Sequence, residues 1–228
     1  MNIIDKIAED PSGVTLAVAA VVIIPAVAAA WFLDHRKNRW LENFAEAKRL
    51  RFEPEVPYDL RNTGLEIFNN GYDFRLLNRI SGISCAGAAV SFFDYKFRAA
   101  GGREKGRYSL TAALFEFKSD LFPAFTLRQE GILDELKAVF GVYDIDVPGD
   151  KEFCREYHLS GRDKDAVAAF WTPERTKKFK LPARCRLEAK GRWLAIYRYA
   201  ATVDEKNYET FMEEAKAAAA VLAGQGPA

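Results

Sequence analysis

The stretch Val90-Ser-Phe-Phe-Asp-Tyr-Lys-Phe-Arg98 has the two-residue period of a β-strand, in which successive side chains point to opposite faces. Three aromatic residues fall on one face and three charged residues on the other, namely Phe93, Tyr95 and Phe97 against Asp94, Lys96 and Arg98. After a turn region at Gly101-Gly102, residues 107–118 alternate in the same way. The sequence therefore predicts a β-hairpin of two long strands.

Other strands and helices are predicted on both sides of this hairpin. Strands are predicted at residues 74–80, 124–127 and 153–159, and a second hairpin joins residues 184–189 to 192–199 through Lys190-Gly191. Helices are predicted at residues 36–50, at 132–140 with Gly141 as the cap, at 163–171, after the Thr172-Pro173 start signal, and after the capping box Thr202-x-x-Glu205. Strands joined by tight turns, with helices between and after them, favour an α+β fold with a mainly antiparallel sheet packed with helices.

Residues 14–33 form an apolar stretch without any charged residue. At about 1.5 Å per residue, a helix of roughly 20 residues matches the hydrocarbon thickness of a bilayer. The alternative is a cleaved signal peptide, because Ala28-Ala29-Ala30 could serve as a cleavage site. That alternative is opposed by the lack of a basic leading segment, which contains only Lys6, and by the charged run Asp34-His-Arg-Lys-Asn-Arg39 directly after the stretch. The sequence therefore predicts an uncleaved transmembrane helix.

The basic residues around this stretch predict its orientation. Only Lys6 precedes it, whereas six basic residues follow it closely, namely Arg36, Lys37, Arg39, Lys48, Arg49 and Arg51. Because the side richer in Lys and Arg stays cytoplasmic, we expect an inner-membrane protein with its N-terminus outside and its C-terminal domain in the cytoplasm. The expected organisation is a short extracytoplasmic segment (1–13), one transmembrane helix (14–33), a juxtamembrane helix (34–50), a single α+β domain (51–223) and a flexible tail (224–228).

The composition limits the classes of partner and cofactor. The 33 Lys and Arg residues against 32 Asp and Glu give a net charge of +1, so the global basic excess that drives nucleic-acid binding is missing. The three cysteines are an odd number at irregular spacing and form neither a disulfide framework nor a CxxC motif. Free thiols fit a reducing compartment.

Candidate metal-binding and catalytic motifs lack essential parts. The run Asp144-x-Asp146-x-Pro148-Gly149-Asp150-x-Glu152 resembles a calcium loop, but Pro148 occupies a ligand position and Arg155 stands where the bidentate glutamate is needed. A solvated acidic loop or a helix cap is the preferred interpretation. Cys154 and His158 would share one face of the predicted strand at 153–159 and would form a catalytic pair only if bent together. We therefore expect no cofactor, no metal ion and no catalytic residue that a motif identifies.

Several short motifs together resemble a known group of proteins. The order Phe93-Asp94-Tyr95, then Glu130-Gly131-Ile132-Leu133-Asp134, then Asp144-Ile145-Asp146 with Glu152-Phe153, is similar to a group of uncharacterised bacterial proteins that contain a domain of unknown function. The similarity covers residues 51–179. Members of the group often pair an N-terminal membrane helix with one such domain. The resemblance implies a bacterial, membrane-anchored domain and carries over no catalytic residue.

Three functions from different classes remain open. The first is a non-enzymatic module at the cytoplasmic face of the membrane that binds another protein or supports an envelope complex. The second is a domain that binds or senses a lipid or a small apolar ligand, and the third is an enzyme that uses Asp94, Asp144 and Asp146. A cavity lined by convergent polar groups favours the second or third function, whereas an exposed apolar patch favours the first.

The tip of the first hairpin is the candidate interaction surface. This glycine-rich segment carries four basic residues, Arg98, Arg103, Lys105 and Arg107. Near an anionic cytoplasmic leaflet each basic side chain contributes about 1 kcal/mol of attraction. We expect this tip, together with Arg36, Lys37 and Arg39, to orient the domain against lipid headgroups or an acidic protein partner. The alternative is a solvated turn whose charges discourage aggregation at the strand edge.

Overall fold

The computed structural model describes residues 11–69, 71–98, 106–130 and 143–225, with only the backbone described at 11–22 and 30–34. The strands are β1 Arg51–Val56, β2 Tyr72–Cys85, β3 Ala88–Arg98, β4 Arg107–Glu116, β5 Phe122–Gln129, β6 Tyr143–Asp144, β7 Tyr157–Gly161, β8 Cys185–Gly191 and β9 Trp193–Arg198. The α-helices are α1 Pro11–Ala47, α2 Lys151–Glu156, α3 Lys164–Phe170, α4 Pro173–Lys178 and α5 Glu205–Leu222. Two short 3-10 helices, Leu60–Thr63 and Glu66–Phe68, form what we call the 3-10 segment.

The nine strands form one sheet in the order β1-β2-β3-β4-β9-β8-β5-β7-β6, and every neighbouring pair is antiparallel. The predicted α+β fold with a mainly antiparallel sheet is thus confirmed. The two predicted hairpins are present as β3–β4, where Phe93 lies opposite Ala112, and as β8–β9, where Leu187 lies opposite Ile196. Because β5 lies between β8 and β7, strands far apart in sequence become neighbours at one end of the sheet.

The two faces of the sheet are covered differently. On one face, alternate residues of the strands pack against helices, and this larger core includes Leu127, Leu159 and Leu187. On the other face, the 3-10 segment covers the part formed by β2, β3, β4 and β9. The aromatic face of β3 lies beneath this segment, where Phe93 and Tyr95 are buried as their alternation predicts.

Helix α1 is one continuous helix of 37 residues and joins the predicted transmembrane and juxtamembrane segments. Its C-terminal part belongs to the domain, because Leu41 and Ala45 are fully buried in the larger core. The Trp40 and Phe44 rings stack at 5.2 Å. No helix that is long and apolar enough to cross a membrane is found among the residues whose side chains the structure describes.

The strand predicted at residues 153–159 is wrong in its first half. Residues before Tyr157 form helix α2, because the Asp150 side chain accepts a hydrogen bond from the Phe153 N–H at 3.0 Å and caps the helix. Cys154 therefore lies in α2 and His158 in β7, so the two do not share the face of one strand. Asp150 confirms that a helix cap explains part of the acidic run.

Two further predictions differ from the structure, and others fall outside the described residues. The last helix begins at Glu205 with Asp204 as its cap, so the capping box predicted at Thr202 is wrong. Strand β1 is not predicted from the sequence, because Pro54 indicates a break in the chain. The strand forms because it lies at the edge of the sheet, where the missing N–H donor of a proline is tolerated. The helix predicted at residues 132–140 lies outside the described residues, as do residues 1–10 and 226–228 of the predicted terminal segments.

Candidate functional site

Lys37 belongs to a polar network that attaches α1 to the sheet. Its ammonium group donates to the Asp94 carboxylate at 2.7 Å, and Asp94 is only 4% exposed. The same carboxylate accepts hydrogen bonds from the Asn78 amide at 3.0 Å and the Thr111 hydroxyl at 2.6 Å. The Thr111 oxygen in turn accepts from the Val203 N–H at 2.8 Å, which adds the segment before α5. Lys37 is thus used inside the molecule, and Asp94 is a structural anion rather than an accessible acid.

Two other residues of the predicted interaction surface form ion pairs within the domain. Arg36 lies 3.2 Å from Glu205 at the start of α5, and Arg98 lies 3.0 Å from Asp73 at the start of β2. Both pairs are solvent-accessible, so each contributes at most about 1 kcal/mol. Each pair places an acidic group beside one of these arginines. The acidic groups offset part of the positive charge that the sequence suggested for this end of the domain.

The remaining residues of that surface lie close by or outside the described residues. Arg107 faces Arg98 in the last rung of the β3–β4 ladder, and the Arg39 guanidinium lies 3.2 Å from the His35 ring nitrogen. Since Lys37 contacts β3 four residues before Arg98, the hairpin end and the juxtamembrane basic residues lie at the same end of the sheet. Arg103 and Lys105, the other two residues of the tip, are outside the described residues.

A second candidate site is an open cleft of about 360 Å³ between the 3-10 segment and strands β5, β7 and β8. We call it the polar cleft, and its charged and hydroxyl side chains are those of Arg61, Glu66, Thr126, Ser160, Arg162, Glu188 and Lys190. Its volume is within the range of small-molecule sites in proteins. The cleft lies at the border of the sheet area that the 3-10 segment covers.

The sheet register brings three polar side chains of the cleft together. Thr126 of β5 lies opposite Ser160 of β7 on one side and opposite Glu188 of β8 on the other. Their immediate neighbours Leu127, Leu159 and Leu187 are buried against the helices, so the three polar side chains point to the opposite face. The Thr126 and Ser160 hydroxyl oxygens are 2.7 Å apart and hydrogen-bonded.

Glu188 forms the buried floor of the cleft. The residue is 2% exposed, and its two carboxyl oxygens accept hydrogen bonds from the Tyr197 hydroxyl at 2.8 Å and from the Ile67 N–H at 3.1 Å. Burial raises the pKa of Glu188 to about 7, and the Ile67 N–H offsets part of this effect because it stabilises the charged form. Glu188 therefore changes charge near neutral pH and links the 3-10 segment to β8 and β9.

The mouth of the cleft combines acidic and basic groups. Burial raises the pKa of Glu66, and the Arg162 guanidinium, 3.9 Å from one Glu66 oxygen, opposes that rise. The other Glu66 oxygen is buried and has no hydrogen-bond partner among the described residues. The Lys190 ammonium group, at the tip of the β8–β9 hairpin, lies 3.5 Å from the Gly64 carbonyl oxygen. The cleft thus offers carboxylate acceptors, hydroxyl groups and cationic donors side by side.

Groups that would support metal or redox chemistry do not converge in the described part of the chain. No set of three or more His, Cys, Asp or Glu side chains is placed there to hold a metal ion. The three cysteines are free thiols, and burial raises the pKa of Cys185 to about 12, which makes it a poor nucleophile. The polar cleft itself presents hydroxyl, carboxyl and cationic side chains, which can form hydrogen bonds and ion pairs.

Exposed apolar side chains are few on the described part of the domain. Beyond α1, the large apolar residues that are exposed are Tyr72 at 48% and Leu121 at 42%, and they lie on separate elements. Single exposed apolar residues are normal on a protein surface. A cleft with convergent polar groups favours ligand binding or catalysis over docking through an apolar patch.

The fold and the cleft define a class of protein, namely an antiparallel α+β domain with helices on one face of the sheet and an open polar cleft on the other. The crystal structure of the mycobacterial trehalose monomycolate transport factor A, TtfA, has a similar fold, with a TM-score of 0.59 over 84% of this chain and 97% of that chain. The two sequences are 12% identical, so the likeness shows a shared fold alone. No protein-family model matches this chain, and no curated protein matches it.

Proposed function

We propose that this protein is a membrane-tethered, non-enzymatic module that binds a lipid through its headgroup in the polar cleft. The observation that carries the proposal is the convergence of Glu66, Thr126, Ser160, Arg162 and Glu188 in one open cleft on the face of the sheet that carries the 3-10 segment. Binding is favoured over catalysis because the Thr126 and Ser160 hydroxyls are hydrogen-bonded to each other and the Glu188 carboxyl group is held by the Tyr197 hydroxyl and the Ile67 N–H. A lipid ligand is supported by the fold, which is shared with a transport factor for trehalose monomycolate.

The membrane tether is supported by the sequence and by the continuity of α1. The uncharged residues 14–33 lie within the same helix whose C-terminal part is buried in the domain. The basic residues directly after this stretch support a cytoplasmic domain and an extracytoplasmic N-terminus. Free thiols at Cys85, Cys154 and Cys185 agree with a reducing compartment. A lipid-binding domain that is tethered in this way stays beside its ligand.

A protein-binding or scaffold function has less support. Such a function is expected to use an apolar patch or the basic hairpin end, and the described part of the domain exposes only isolated apolar residues. At the hairpin end, Arg36 and Arg98 are paired with acids of the same chain, and Lys37 is engaged with Asp94. An enzymatic function that uses Asp94 is disfavoured for the same reason, since this carboxylate is buried and holds three donors.

The experiment compares the lipids that the full-length protein retains when it is extracted from bacterial membranes into nanodiscs. Ala124 is exposed and lines the cleft, so Ala124→Trp fills the cleft without disturbing the core. Ala89→Trp is the matched control, because Ala89 is also an exposed strand residue and lies outside the cleft. Mass spectrometry should show a lipid enriched over the bulk membrane with the native protein and the control, and several-fold less of it with Ala124→Trp. Equal lipid profiles for all three proteins and for empty nanodiscs would refute the proposal.

A further inference from the structure

We infer that the polar cleft recognises an uncharged, hydroxyl-rich headgroup such as a sugar, in preference to a phosphate or an amine. The inference rests on the proposed function and specifies the chemical class of its ligand. The side chains of the cleft supply hydrogen-bond acceptors, hydrogen-bond donors and charges of both signs. All of these side chains surround one volume of about 360 Å³. This volume suits a headgroup of one or two sugar rings, with the acyl chains outside the cleft.

The acceptors of the cleft require a ligand that donates hydrogen bonds. One Glu66 carboxylate oxygen is buried and unpaired within the described residues, and buried polar atoms of folded proteins nearly always have a partner. On the floor, each Glu188 oxygen accepts one hydrogen bond and retains a further lone pair. Hydroxyl groups of a ligand can donate to both carboxyl groups without adding a charge to the cleft.

The donors of the cleft require a ligand that also accepts hydrogen bonds. Arg162 and Lys190 carry several N–H groups each at the mouth, and the Arg162 side chain is 85% exposed and therefore accessible to a ligand. Between mouth and floor, the Thr126 and Ser160 hydroxyls form a pair in which either oxygen can be the donor. A hydroxyl group is the ligand group that satisfies both requirements, because it donates one hydrogen bond and accepts two.

The cleft is lined by the cations Arg61, Arg162 and Lys190 and by the carboxyl groups of Glu66 and Glu188, and this mixture of charges disfavours an ionic headgroup. A phosphate that contacts Arg162 and Lys190 would lie beside the Glu66 carboxylate, which is 3.9 Å from Arg162. An amine that contacts Glu66 would in turn lie beside both cations. Like charges placed side by side repel each other. A neutral ligand avoids both penalties.

The test uses saturation-transfer NMR of the full-length protein in phosphatidylcholine nanodiscs. The probes are three neutral sugars (methyl glucoside, maltose and sucrose), glucose 6-phosphate and choline. At least one neutral sugar should bind, and Glu66→Ala should weaken its binding about tenfold, which is the effect of losing a hydrogen bond to a charged group. Arg162→Ala should also weaken it. The control Glu116→Ala removes a carboxylate that is paired with Arg192 outside the cleft and should change nothing.

The outcomes separate this inference from the proposed function. Stronger binding of glucose 6-phosphate or choline, no binding of any neutral sugar, or equal effects of the Glu66 and Glu116 variants would overturn the inference. If the retained lipid that Ala124→Trp removes has a phosphate or amine headgroup without sugar, the inference fails while the lipid-binding function stands. If Ala124→Trp removes no lipid, the proposed function fails, and the inference that rests on it fails as well.

Discussion

Replacing Glu188 by Gln should change how the stability of this protein depends on pH. Glu188 is almost fully buried, and its pKa is raised from 4.5 to about 7 in the folded protein. Between these two values the folded protein retains a proton that the unfolded chain releases. The free energy of unfolding must therefore fall as pH rises from about 4.5 to about 7, and the contribution of Glu188 stays constant above that. Since one pKa unit corresponds to about 1.4 kcal/mol, the total loss is roughly 3 kcal/mol.

The glutamine side chain of the Glu188→Gln variant would be neutral at every pH and can keep both hydrogen bonds of the glutamate. Its carbonyl oxygen can accept from the Ile67 N–H, and its amide group can donate to the Tyr197 hydroxyl oxygen. The assay is urea unfolding of the full-length protein in detergent micelles from pH 4 to pH 8. The Glu188→Gln variant should gain roughly 3 kcal/mol relative to the native protein over this range, because the other titrating groups cancel in the difference. Parallel pH curves for the native protein and Glu188→Gln would refute the reasoning.

Three other predictions concern the core, the attachment of α1 and the membrane topology. Phe93→Ala should lower the free energy of unfolding by about 3–5 kcal/mol, because Phe93 is buried under the 3-10 segment, and a near-zero change in urea unfolding would mean that the site collapses without cost. Lys37→Met should destabilise the protein by about 3 kcal/mol because it leaves Asp94 buried without its cation, and the double variant with Asp94→Asn should recover most of this loss in the same assay. A reporter that is active only in the cytoplasm should be active when fused after Ala228, and activity of an export-dependent reporter instead would reverse the topology.

The parts of the fold that depend on local periodicity could be predicted from the sequence. The β3–β4 hairpin follows from alternation within each strand and a glycine turn, and the cap at Thr172 follows from the proline after it. Strand β1 could not be found in this way, because Pro54 is acceptable only at a sheet edge and the sequence does not say which strand is at the edge. The position of β5 between β8 and β7 could not be predicted for the same reason, because the sequence does not give the order of strands in the sheet.

The polar cleft could be predicted only in part. An acidic residue between Leu187 and Ala189 in a predicted strand already suggests that Glu188 faces away from the main core. Its partners could not be inferred, because the Ile67 N–H that binds its carboxylate comes from a segment 121 residues earlier in the chain. Long-range pairs of this kind are fixed by the order of strands in the sheet, which local patterns do not encode.

The basic residues after the apolar stretch show how one sequence feature can serve two physical purposes. Counted along the chain, they predict which side of a membrane the domain occupies. In the structure, Lys37 and Arg36 also pair with Asp94 and Glu205, so they attach α1 to the sheet and to α5. Acidic partners within the same chain therefore offset part of the positive charge that could attract anionic lipid. In the proposed function, contact with a lipid depends on the polar cleft, and the attached helix would hold that cleft in one orientation relative to the membrane.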